Sequence, residues 1–157
     1  MRSLRDAFGQ FATGVAVVTT VADGERAGVT VNSFTSVSLD PPLVLWCLSD
    51  RAPSAPLFLR AGRFAVNVLA AGQGELSRRF ATPTPDKFAG VELLDHPLPM
   101  LAGALAGFAC RTVSTFGGGD HHIFVGEVER YQRAGGDPLV FHSGRYRELA
   151  GPAIVAG

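Results

Sequence analysis

Runs of β-branched and apolar residues closed by tight-turn signals, with no helical stretch placed to cross between parallel strands, constrain this chain more than any other feature. Val15 to Ala22 (VAVVTTVA) ends on Asp23-Gly24, a pair suited to the left-handed backbone of a two-residue hairpin turn. The returning run Ala27 to Leu39 alternates with period two and is expected to be one strand, stopped by Asp40-Pro41-Pro42. Leu43 to Ser49 (LVLWCLS) is almost continuously apolar, which predicts a central strand covered on both faces. Arg63 to Ala70, Leu105 to Phe116, His122 to Arg133 and Leu139 to His142 with its continuation are further strands. Gly117-Gly118-Gly119-Asp120 and Gly135-Gly136-Asp137 supply the turns between the last three. Leu4, Phe8 and Phe11 form one stripe of a short helix, and Ser54 to Ala61 and Gln73 to Ala81 are two more. Residues 82–103, with four prolines, read as a long loop packed over the body. Hairpin succession without crossover helices predicts a mainly β fold: a closed or partly closed, Greek-key-like antiparallel barrel with two or three short helices.

At 157 residues the chain has room for one domain, expected to span 1–157 with a frayed tail from about residue 150. Fourteen basic residues balance fourteen acidic ones, so no net field draws it to nucleic acid or to an anionic membrane. The N-terminus lacks the apolar core of an export signal, and no apolar run is long enough to span a bilayer. Cys47 and Cys110 lie in apolar runs as small buried hydrophobes, so a cytoplasmic protein with reduced thiols is expected.

The chemistry-bearing residues are few. GxGxxG after a strand, GxxxxGK[ST], GxSxG, HExxH and CxxC are all absent. His121 and His122 are neighbours on a strand, hence on opposite faces and without ligands at zinc spacing, so no metal site is expected. Gly28 to Pro42 is more informative, because Thr30, Asn32, Ser33, Thr35, Ser36 and Ser38 crowd a segment that otherwise reads as strand. Either it is an edge strand with wet hydroxyls, or it bends over a polar, planar ligand whose edge the hydroxyls and backbone N–H groups read. Ser54 is either a helix cap or part of a phosphate site. Lys87, the only lysine, is either a solvated charge or a phosphate partner. His142, where a strand meets Gly144, is either structural or catalytic.

Six segments, LRDAFGQFATGVAVVTT, GVTVNSFTSVSLDPPLVLWCLS, SAPLFLRAGRFAVNVLA, ELSRRFA with DKF, GGDHHIFVGEVE and PLVFHSGRYREL, run in the order found in the short-chain flavin reductases, and the chain resembles that family from about residue 4 to 149. The resemblance implies an FMN-binding split β-barrel and a homodimer. It also implies NADH- or NADPH-dependent reduction of FMN or FAD, with the reduced flavin passed to a flavin-dependent monooxygenase. It places Thr30, Val31, Asn32 and Ser33 along the isoalloxazine and ribityl chain, and Ser36, Val37 and Ser38 near the ring. Cys47, Leu48 and Ser49 become the next wall, Ser54 the ligand of the 5′-phosphate, and Phe80 with Ala81 the border of the ribityl phosphate or adenosine. Lys87 and Phe88 fit a neighbouring loop. His121 falls beside flavin and nicotinamide, and His142, Gly144 and Tyr146 line the nicotinamide side, so that His121 and His142 are the candidate catalytic residues. Two rivals share the fold: a flavoprotein that keeps its FMN and reduces another acceptor, and a non-catalytic flavin- or haem-binding barrel.

Overall fold

In the computed structural model, which describes residues 2–157, ten strands and three α-helices follow one another in the order the turn signals set. Helix α1 (Arg2–Phe8) leads into the short β1 (Thr13–Gly14). A hairpin of β2 (Ala16–Ala22) and β3 (Glu25–Val31) follows, then β4 (Thr35–Leu39) and β5 (Pro42–Ser49). Asp23 and Gly24 both take positive φ, 51° and 77°, as the Asp-Gly turn requires. Helix α2 (Ala55–Ala61), β6 (Arg63–Val68), a 3-10 turn at Ala71–Gln73 and α3 (Gly74–Ala81) come next. The long loop then leads to β7 (Ala106–Gly118), β8 (His121–Arg133), β9 (Val140–His142) and β10 (Arg145–Arg147).

Seven strands form one antiparallel sheet in the order β3-β2-β6-β7-β8-β5-β4, and β1-β9-β10 form a second. The outermost strands of the large sheet, β3 and β4, are consecutive in the chain and only three residues apart, so the sheet curls and brings its two edges toward each other. No backbone ladder joins them at that seam. Here the sequence expectation is corrected: Ala27 to Leu39 is not one strand but two, bent at Asn32–Phe34. Ser33 Oγ secures the bend, accepting from Cys47 N–H at 2.9 Å and donating to Cys47 O at 3.3 Å.

Inside the curl, Trp46 stacks on Phe124 at 4.7 Å and meets Phe58 and Phe64 edge-on at 4.9 and 5.6 Å. Outside it, α3, the small sheet and the 82–105 segment cover β2 and β6, so Val17, Ala65 and Asn67 are as buried as Val18 and Val66. The strands covered on both faces are therefore β2 and β6. Strand β5, expected to be covered twice, buries only Val44, Trp46 and Leu48; Leu43, Leu45, Cys47 and Ser49 on its outer face stay half-exposed. The apolar residues at the N-terminus are also uncovered, with Leu4 and Phe8 of α1 at 56% and 70% exposure and Phe11, expected on the same helical stripe but lying beyond the end of α1, at 81%. Residues 152–157 are exposed and carry no regular structure.

Candidate functional site

Strand β3 connects two cavities. The first, about 650 Å³, is lined by Arg26 to Val29 of β3, by Ser54 and Leu57 at the start of α2, by Phe80 and Ala81 at the end of α3, and by residues 83–88. Ser54, which the resemblance assigns to the 5′-phosphate, Phe80 and Ala81, assigned to the border of the ribityl phosphate or adenosine, and Lys87 and Phe88, assigned to a neighbouring loop, are thus brought to one cleft. Gly28 makes that possible, because a Cβ there would come within 2.5 Å of the Phe80 ring. The Ser54 hydroxyl makes no capping bond at α2, so it is left facing the cleft without a protein partner among the described residues.

Lys87 is not a solvated charge. Its Nζ donates to Phe80 O at 2.7 Å and Gly28 O at 3.1 Å, tying the end of α3 to β3. Burial pushes its pKa down from the ordinary lysine value, since the ammonium has lost part of its water. The remaining N–H of the ammonium is the one available to an anion in the cleft.

The second cavity, about 660 Å³, lies between Phe11–Ala16 and the bend Val31–Thr35. Its walls include Asn32 and Ser33, and also Thr13, whose Oγ1 is buried with no hydrogen-bond partner. An orphaned hydroxyl in a hollow lined by Phe11, Val15, Val31 and Phe34 as well as by Asn32, Ser33 and Thr35, beyond the far end of β3 from an unpaired serine in a cleft that carries Arg26 and Lys87, fits an elongated ligand with a planar head and an anionic tail.

The third group lies on the outer face of the sheet. Ser49 pairs with His121 and Cys47 with Ile123 across β5 and β8, so Cys47, Ser49 and His121 share the face turned away from Trp46. Leu48 is 3% exposed and points into the core; only its main chain can take part in the wall expected of it. His121 Nδ1 lies 2.7 Å from Asp120 Oδ1, and this hydrogen bond, ahead of the charge effect, holds the Asp120 carboxyl below its ordinary 3.8. His122 turns inward, edge-on to Phe124, with Nε2 3.3 Å from Asp50. Ser36 and Ser38 flank a bulge in β4 at Val37, on the sheet edge.

Thr30 spends its hydroxyl on Ser77 O at 2.6 Å, and Ser77 Oγ meets Tyr146 OH at 2.6 Å, so Tyr146 is anchored to α3 and β3. His142 pairs with Arg145 in the small sheet, next to Ser143 and Gly144, whose φ values are 49° and 73°. His121 and His142 stand in different sheets with no hydrogen bond between them. Cys110 takes no part: burial first, then repulsion from Glu129, pushes its thiol up to about 12. The described residues contain no cluster of three or more potential metal ligands from His, Cys, Asp and Glu. Sequence reasoning missed Arg26, Thr13 and Ser77.

Residues 8–150 match the flavin reductase like domain family. The chain belongs to that family. Among its flavin reductase relatives, it is 46% identical over 147 residues to the FMN reductase (NADH) SmoA of Agrobacterium fabrum, covering 92% of this chain and 84% of that one. It is 41% identical over 148 residues to the flavin-dependent monooxygenase reductase subunit HsaB of Rhodococcus jostii, covering 92% and 76%. Its fold superposes with a TM-score of 0.93 and 41% identity on the NADH:FAD oxidoreductase SgcE6 of Streptomyces globisporus, solved with NAD and FAD fragments, over 98% of this chain and 94% of the other. The chain spans about half, 51%, of a probable flavin reductase of Rhizobium meliloti to which it is 44% identical.

Proposed function

We propose that this flavin reductase like domain is an NAD(P)H-dependent flavin reductase, which reduces FMN or FAD and supplies the reduced flavin to a separate flavin-dependent monooxygenase. The observation that carries the reading is the pair of cavities joined by β3, one cationic with an unpaired serine, the other of mixed apolar and polar walls with an orphaned hydroxyl. Together the two ligands supply the chemistry themselves, a hydride from dihydronicotinamide and its acceptor in the isoalloxazine. The protein's part is to hold and align them, which explains why no nucleophile, acid–base carboxylate pair or metal cluster is needed.

Ser54 and the free N–H of Lys87 hold the flavin phosphate in the first cleft. The bend at Asn32–Ser33 presents backbone and side-chain polar groups to the isoalloxazine edge, while Ser36, Val37, Ser38, Cys47 and Ser49 complete its surroundings. His121, steadied by Asp120, and His142, at the turn before Gly144, border the nicotinamide, with Tyr146 fixed by Ser77. The seam between β3 and β4 is the split of a Greek-key β-barrel closed by side chains rather than by a ladder. A second copy of the chain covers the half-exposed outer face of β5 and β8, which carries Cys47, Ser49 and His121. The chain acts as a single domain in the cytoplasm; its two cysteines are free, and no described helix is long and apolar enough to cross a membrane.

Steady-state NADH and NADPH oxidation with FMN, FAD and riboflavin tests the activity. Turnover that saturates with added flavin is the expected result. A preparation that keeps its colour through gel filtration and reduces a different acceptor would show a resident flavin instead, and a coloured preparation that NADH and NADPH fail to bleach would show a binding protein.

A further inference from the structure

The segment that joins β5 to α2, Asp50 to Ser54, brings Ala52, Pro53 and Ser54 to the wall of the first cavity. Pro53 fixes one φ directly before Ser54, and Ala52 packs against the core around Trp46, so the freedom left to this segment lies at its start. That start is pinned to the turn between β7 and β8. Asp50 N–H donates to Asp120 O at 3.0 Å, and Asp50 Oδ1 lies 3.3 Å from His122 Nε2. Arg51 N–H to Ser49 Oγ at 3.3 Å and Ala52 N–H to Ser49 O at 3.0 Å then carry the chain toward the head of α2.

His122 is built to hold this carboxylate. Its ring lies edge-on to Phe124 at 6.3 Å, and Phe124 is stacked on Trp46, so the imidazole is braced from the core side. With its proton on Nε2 the ring donates to Asp50 whether it is neutral or cationic. His121, the next residue along β8, points to the opposite face and takes Asp120 at 2.7 Å instead. Two consecutive histidines thus hold two different carboxylates, and only the His122 pair ties together segments distant in the chain. Among the described residues, no other side chain of the turn bonds to the Asp50–Ser54 segment.

We propose that His122 is a positioning residue of the flavin site: by holding Asp50 it seats the Asp50–Ser54 segment on the β7–β8 turn and so fixes the Ser54 hydroxyl at the phosphate end of the cleft. The inference rests on reading that cleft as the phosphate end of a flavin site. His122 touches neither flavin nor nicotinamide; it acts through Asp50 on the one part of the ligand that riboflavin lacks.

Fluorescence titration with FMN and with riboflavin tests this on the wild type, His122→Ala, Asp50→Ala, the double variant and His122→Gln. Each alanine variant is expected to bind FMN about fivefold more weakly, the upper range for a pair that is part-exposed on both sides, while riboflavin affinity stays the same. The double variant should lose no more than either single one, because all three lack the same contact. His122→Gln, whose amide can donate in place of Nε2, should recover most of the loss. Arg63→Ala, which breaks a comparable surface pair with Glu129 at 3.3 Å, is the control and keeps both affinities.

Equal losses for FMN and riboflavin would show that His122 only supports the packing on Phe124, and additive losses in the double variant would show two independent effects. Either result overturns the proposal, as does unchanged FMN affinity in both alanine variants. Hydrogen exchange of the 50–57 amides in flavin-free protein separates the clamp from the functional reading. Faster exchange there in His122→Ala and Asp50→Ala, with protection elsewhere intact, is expected, and wild-type exchange in both overturns the clamp. Equal affinity of the wild type for FMN and riboflavin would instead remove Ser54 as a phosphate ligand, and the exchange difference would still decide whether His122 holds the segment.

Discussion

Gly28 shows how one missing side chain shapes the site. A Cβ at this position would lie 2.5 Å from Phe80 and 3.3 Å from Phe88, and Phe80 is fully buried with nowhere to retreat. Gly28→Ala is therefore expected to cost about 1–3 kcal/mol by overpacking. In a chain of this size that lowers Tm by roughly 2–10 °C. Combining it with Phe80→Leu should recover part of the loss, since the two changes share one contact and do not add. Thermal melts of the three variants check this, and a Gly28→Ala protein that melts like the wild type would show that the rings move freely. At this scale the sequence was legible where chemistry is local. Ser54 and Lys87 each stood out as a possible phosphate partner, and they line one cleft with Phe80, Ala81 and Phe88, which the resemblance alone had named. It was not legible where a partner comes from far along the chain, as for Thr30, whose hydroxyl is used by Ser77, or Leu48, whose direction depends on which face of β5 became the core.

Among the elements, turn chemistry carried most of the prediction. Asp-Gly, the glycine runs and the prolines each ended a strand near where they were expected to, because a positive φ or a missing N–H acts on the backbone directly. Periodicity alone failed at the Asn32–Phe34 bend, since alternation continues through it and only tertiary closure reveals the break. It also failed for the coverage of β5, whose apolar run resembles that of a strand buried on both sides. The covered strand β6 instead hides a polar residue. Asn67 is fully buried, donates to Val17 O at 2.9 Å and to Thr19 Oγ1 at 3.3 Å, and accepts from Leu101 N–H at 2.8 Å. Thr19 in turn donates to Pro99 O at 2.8 Å, so this network holds the 82–105 segment on the sheet. Asn67→Ala leaves the Leu101 N–H unpaired in a dry interior, which should cost about 1–3 kcal/mol. Urea unfolding measures the loss, and a change below about 0.5 kcal/mol, the scale of ordinary surface substitutions, would mean that water replaces the amide.

At the scale of the whole molecule, the sheet's outer surface is covered on one half and bare on the other. Helix α3, the small sheet and the long loop cover β2 and β6, while Leu43, Leu45 and Cys47 on β5 and Ile123 and Val125 on β8 remain half-exposed, with Phe116 of β7 beside them at 55%. Leu45 and Val125 are direct cross-strand partners near the middle of this patch. In the proposed dimer an isologous contact repeats each residue on both sides of the two-fold axis, so a single Leu45→Glu substitution buries two carboxylates in an apolar interface. The lone chain should tolerate the same change, because the position is already half in water. Sedimentation of the wild type at micromolar concentration is expected to give about twice 16.5 kDa, and Leu45→Glu to give the mass of one chain with its circular dichroism intact. Flavin reduction should fall with the dimer, since Cys47, Ser49 and His121 lie on the face that the second copy covers. The uncovered stripe of α1 offers the competing interface, and Leu4→Glu discriminates between them. Dissociation by Leu4→Glu with a persistent dimer in Leu45→Glu would move the contact to the helix and leave the flavin site complete within one chain.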